Sequence, residues 1–170
     1  MPEINSTRIQ AVVDKLREEQ SDRACAILGV ATLEALLENL LRRWMLPDAP
    51  EELFKSVGPL ATFSARIDIA YAFGLISPLE RRDLHLLRKI RNDFAHDFDH
   101  ELVFTNLAVG NRVKALSLPA LIEDLPDFQE SSPRYRFYVG VSLLFLVLSD
   151  LRIRTAKSPP VPKELYRPVT

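Results

Sequence analysis

Residues 63–90 read FSARIDIAYAFGLISPLERRDLHLLRKI, and this stretch decides the fold class. Its first half carries apolar residues at 3–4 spacing and predicts a helix from Phe63 to Phe73, with Gly74 as a left-handed terminator. Ser77-Pro78-Leu79-Glu80 is a helix start: Ser as N-cap, Pro at the first helical position, and Glu three residues on to complete a capping box. The second helix is expected to turn Leu79, Leu84, Leu87, Ile90 and Phe94 inward and to end near His96. Two amphipathic helices joined by a short Gly-containing turn make an αα-hairpin.

Working outward, helix signals continue in both directions. Ile9, Val12, Val13 and Leu16 predict a first helix over Thr7 to Glu18. Ser21 reads as the N-cap of a long helix from Asp22 to about Met45, halted by Pro47. Its apolar positions run nearly all round, broken by Glu34, Glu38 and Arg42, which at i, i+4 and i+8 are read as one solvated stripe. A helical turn is expected around Glu51 to Lys55, and one or two short helices over Val103 to Leu118, closed by Pro119. Leu121 to Ser132 reads as loop, and Pro133 to Thr155 as a last long helix. Five glycines in 170 residues, with no Asn-Gly or Asp-Gly pair, leave no hairpin signal. The expectation is an all-α protein: a single-domain multi-helix bundle with two long core helices over residues 1–157, followed by a proline-rich tail, residues 158–170.

Composition narrows the function classes. A hydrophobic share of 47% and a charged share of 26% are those of a globular chain with a real core. A net charge of −1 gives no global footprint for nucleic acid, so such binding would need a local basic patch. One cysteine, Cys25, forbids an intrachain disulfide and is expected to be an inert core thiol, in keeping with a cytoplasmic protein. The start lacks the basic and apolar regions of a leader. The run FYVGVSLLFLVL, Phe137 to Leu148, is too short to cross a bilayer and reads as a buried helix, so no membrane association is expected.

No GxGxxG, GxxxxGK[ST] or GxSxG pattern occurs, which leaves phosphate-loop and serine-hydrolase chemistry without support. The hairpin invites comparison with a helix–turn–helix, but the position six after its glycine, apolar in that motif, is Glu80. Arg81, Arg82, Arg88 and Lys89 are then solvated residues, with Arg81, Arg82 and Arg88 the candidates for partner binding. His96-Asp97-Phe98-Asp99-His100 places two imidazoles at i, i+4, a spacing that suits a metal if the helix continued. It is expected to end there instead, so no metal or other cofactor is assigned.

The densest constellation is Arg91-Asn92-Asp93-Phe94-Ala95-His96. Over roughly residues 20–120 the chain resembles the mannitol operon repressor family. The resemblance is carried by Gly58 to His96, in particular Gly58-Pro59-Leu60, Ser64-x-Arg66-Ile67, Tyr71 and Gly74-Leu75-Ile76. It implies an all-helical transcriptional regulator without an obvious DNA-reading motif, acting through a protein partner. The RNDFAH segment also resembles the Arg-polar-x3-His motif of HEPN domains, small helical domains that commonly dimerise and many of which are metal-independent ribonucleases. That resemblance implies an alternative, an endoribonuclease with Arg91, Asn92 and His96 as catalytic residues. An imidazole there takes the proton from a ribose 2′-OH, and a guanidinium holds the scissile phosphate. On an ideal helix, however, Arg91 and His96 lie about 140° apart.

The structural alternative has Arg91 bracing helices through Asp68 or Glu34, Asn92 satisfying a helix end and His96 favouring a C-terminal dipole. The expected function is a helical regulatory and interaction protein rather than an enzyme. Its expected partners are a second copy of itself, as a homodimer, and a protein. RNA is possible, and sequence-specific DNA binding by the chain alone is not expected.

Overall fold

Helix α1, Asp22–Trp44, carries nine buried residues along its length and packs most extensively on α6, Pro133–Thr155, and next on α3, Pro78–His96. Around this axis a computed structural model places α2, Phe63–Ala72, against α1 and α3, and the short helices α4, Leu107–Lys114, and α5, Ser117–Ala120, against α3 and α6. A 3-10 turn, Glu51–Phe54, links α1 to α2. The structure describes residues 11, 14–124 and 132–155, with side chains through residue 150; residues 14–18 are helical. The described residues contain no strand, as the all-α reading requires. The expected tail, residues 158–170, and most of the 121–132 loop lie outside them.

Sequence signals fix the helix ends. Ser21, Thr62 and Ser77 each accept a hydrogen bond from the backbone N–H three residues on, and Glu80 reaches back to the Ser77 N–H at 2.6 Å, completing the capping box. Gly74 closes α2 at φ 68°, a conformation that strains any residue with a Cβ. Gly58 answers to a different constraint, since a Cβ there would overlap the carbonyl oxygens of Glu52 and Leu53. The far end of α3 is capped across the fold: Arg23 donates to the carbonyl oxygens of Asp97, at 2.8 Å, and Ala95, at 3.3 Å. Asp22 accepts from the Phe104 N–H and from Arg134, both at 2.8 Å, so the start of α1, the end of α3 and the start of α6 meet at one corner.

The core is continuous. Leu33, Leu37 and Leu40 of α1 meet Leu84, Leu87 and Ile90 of α3 and Leu144 and Leu148 of α6, all buried. Phe94, Phe104 and Phe137 form a run of tilted rings with centroids 4.9 and 4.8 Å apart. Each such side chain contributes about 1.5–3 kcal/mol of burial.

Several expectations are corrected. Glu34, Glu38 and Arg42 are no fully solvated stripe: each is half-buried, with Arg66 of α2 between the two glutamates and Arg42 against Glu51 and Phe54 of the 3-10 turn. Leu79, expected to face inward, is 44% exposed in the first turn of α3. Pro119 lies inside α5 instead of ending a helix, since an early helical position needs no N–H from it. Among the described residues one helix, α1, has the length and composition to cross a membrane, and half of that segment is buried inside the protein.

Candidate functional site

Two faces of α2 carry charge, and they differ in depth. On the inner face Arg66 is 7% exposed. Its Nε donates to the Leu60 carbonyl at 2.8 Å, and its Nη1 lies 3.3 Å from Glu34 and 3.0 Å from Glu38. Arg42 extends the network, holding Glu38 and Glu51 at 2.9 Å each and lying 4.0 Å above the Phe54 ring. Arg91 of α3 joins from the other side, Nη2 to Glu34 at 3.4 Å. Of the two bracing partners expected for Arg91, Glu34 is the one it meets; Asp68 is engaged elsewhere.

The outer face opens between α2 and α3. Asp68 accepts from Arg81 through Nε and Nη2, at 2.9 and 2.7 Å, and lies 3.1 Å from His85 Nε2. The hydrogen bonds from Arg81, with His85 contributing less, hold the Asp68 carboxyl below its ordinary value. Ser64, Asp68, Arg81, Arg82, His85, Leu86, Arg88 and Lys89 line an open groove of about 470 Å³. Four cations face one carboxylate there. Arg82 is exposed and donates to the Ser117 hydroxyl at 3.2 Å. Arg88 and Lys89 make no ion pair among the described residues, and the Arg88 Nε is buried without a hydrogen-bond partner. The three arginines singled out from the sequence, Arg81, Arg82 and Arg88, are therefore brought to one groove.

The Arg91–His96 motif is spread out. Arg91 points to Glu34 and is 29% exposed at its side chain, Asn92 is half-buried, and His96 is exposed at the last turn of α3. No hydrogen bond or ion pair joins Arg91 to His96. Between them Phe94 is fully buried, and Asp93 is paired with Arg112 of α4. Asp97 caps α3, and its side chain accepts from the Leu102 N–H at 2.8 Å. His100 follows at φ 58° in the loop. Among the described residues no group of three His, Cys, Asp or Glu side chains is arranged to hold a metal ion. Cys25 is buried, and burial raises its thiol pKa.

One structural site escaped the sequence reading. Asp83 is fully buried and accepts from the backbone N–H groups of Ser117, at 2.8 and 2.9 Å, and Leu118, at 2.7 Å, tying α5 to α3. Its signal lies in its phase: Asp83, Leu87, Ile90 and Phe94 fall at i, i+4, i+7 and i+11, so this carboxylate sits on the apolar stripe.

Comparisons with known proteins agree on a relationship. The mannitol operon repressors of Escherichia coli strains K12 and O6:H1 are each 27% identical over 124 residues, 69% of this chain. The matched segment spans 63% of those relatives' length. Among solved structures, one described as the MtlR-HPr complex from Escherichia coli shares the fold. It has a TM-score of 0.58 and 23% identity, and the match covers 87% of this chain and 98% of that one. A profile described as Mannitol repressor matches residues 9–139, and the chain belongs to that family.

Proposed function

We propose that this chain is a non-catalytic transcriptional regulator that works by docking a protein partner on the groove between α2 and α3. The observation that carries this reading is the groove itself, an open basic surface whose Arg82, Arg88 and Lys89 have capacity to spare for acidic groups. Docking on such a surface is steered by charge complementarity. Family membership supports a role in regulation, and the solved relative bound to HPr makes HPr the first partner to test. The inward commitment of Arg91 to Glu34 supports a bracing role for the motif over a catalytic one. The buried free thiol of Cys25 accords with a place in the cytoplasm.

The reading includes no sequence-specific recognition of DNA by the chain alone. The second helix of the hairpin turns Asp83, Leu84, Leu87, Ile90 and Phe94 into the core, and Glu80 is used in the cap. Self-association belongs to the same reading, with Phe73, Leu79 and Leu146 as exposed apolar residues available to it. Light scattering that finds only monomer at about 50 μM removes the dimer.

The test is a calorimetric titration of the purified chain with HPr. Saturable binding that falls about tenfold in the Arg82→Ala/Arg88→Ala variant is the expected result. Binding that is unchanged in that variant places the partner on another face. No binding at all removes HPr as the partner.

A further inference from the structure

The same groove has the donor set of an anion site. It is open to solvent, and its volume of about 470 Å³ leaves room for a small anion. Its one carboxylate, Asp68, is already taken by Arg81 and His85, leaving Arg82, Arg88 and Lys89 in excess. Arg88 carries a buried Nε–H with no acceptor. Ser64 adds a hydroxyl in the first turn of α2, where helix N–H groups favour negative charge. Guanidinium groups suit phosphate oxygens, which they meet with paired N–H donors, while the ammonium of Lys89 supplies a mobile point charge.

We propose that the α2–α3 groove binds a small phosphate-bearing anion through Arg82, Arg88 and Lys89, with Ser64 as an additional donor. Asp68 sets the affinity from within the site. It neutralises Arg81 and lowers the local potential, so the groove holds its anion weakly enough to release it. Such a ligand competes with an acidic protein for the same residues. That competition rests on the partner reading above, whereas anion binding stands without it.

The experiment uses the full chain and inorganic pyrophosphate as the probe, by calorimetry at about 150 mM salt, where exposed charges are well screened. One-site saturable binding is expected. Lys89→Ala and Arg88→Ala are each expected to weaken it by roughly three- to tenfold, and Asp68→Asn to strengthen it by a similar factor. Circular dichroism establishes that each variant is folded; Lys89 and Asp68 are exposed enough that their variants keep the test available if Arg88→Ala fails to fold. Lys55→Ala removes an equal charge elsewhere and is expected to leave binding unchanged.

Absence of saturable binding overturns the proposal, as does equal weakening in Lys55→Ala, which marks a net-charge effect. Tight binding of single-stranded RNA through these residues without pyrophosphate binding replaces it with a nucleic-acid surface. No protein partner is present in these titrations, so their failure leaves the HPr test standing, and failure of the HPr test leaves them standing.

Discussion

Arg66 and Asp68 lie two residues apart on one helix, and each gathers opposite charges from a neighbouring helix. The Arg66 side chain is 8% exposed between Glu34 and Glu38, and the Asp68 side chain is 48% exposed beside Arg81 and His85. Ion-pair chemistry is common to both, and burial sets the consequence. Inside, an Arg66 that loses its partners has little water to turn to, so the cluster holds the fold together. Outside, solvent makes the pair nearly neutral in energy, and the neighbouring Arg82, Arg88 and Lys89 are left to serve a ligand.

The sharpest way to break this contrast is Arg66→Ala. It takes the central cation from Glu34 and Glu38, leaving them Arg91 and Arg42, and frees the Leu60 and Ala61 carbonyls, and is expected to cost about 2 kcal/mol in urea unfolding. Stability within 0.5 kcal/mol of the parent would show that water reaches the inner cluster. Asp83→Ala sharpens the same point for an anion held by backbone N–H groups and no cation. Orphaning the Ser117 and Leu118 N–H groups is expected to cost about 2 kcal/mol, with faster amide exchange in α5.

Arg91 sits between the extremes, with one 3.4 Å contact to Glu34 and an Nε already without a partner. Arg91→Ala is therefore expected to cost only about 1 kcal/mol, and His96→Ala less than about 0.5 kcal/mol. Neither is expected to change the fate of labelled RNA in EDTA. Cleavage by the parent protein that vanishes in folded His96→Ala would make the motif catalytic.

The smallest effect belongs to the outer cluster. The Asp68 carboxyl is held low by Arg81 and then His85, so its contribution is present above the unfolded pKa and is lost as pH falls through the folded value. The loss is expected below about pH 4 and to amount to a few tenths of a kcal/mol, given the exposure of the pair. Comparing acid unfolding of the parent with that of Asp68→Asn, in which this component should disappear, measures it.

Phase along the helix is where the sequence carried this distinction. Arg66 shares its stripe with Phe63, Ile67 and Ala70, and Asp83 shares one with Leu87, Ile90 and Phe94, so both were readable as buried polar residues. Asp68 falls out of phase, as an exposed residue does. Helix starts were legible too, because Ser77 and Glu80 act on neighbours three residues away, within reach of any local reading. Glu34 and Glu38 were misjudged because a charged stripe does not reveal which helix will cover it. Only the docking of α2 decides that, and Arg66 is 32 residues further along the chain. The groove was legible in part. Its arginines stood out as a cluster on α3, but Ser64 and Asp68 come from α2 and join them only through the hairpin's crossing.

The corner where Arg23 caps α3 has a consequence for the order of events during synthesis. Its bonds join residues 74, 82 and 112 positions apart. A growing chain has made α1 through α5 before Arg134 exists to reach Asp22. Until then the N-terminal end of α1 and the last turn of α3 lack one of the three strands of chain that hold them. Contacts this distant in sequence close late, because loop entropy is spent before they form. Until α6 is made, the apolar flank of α1 that packs on it lacks its cover.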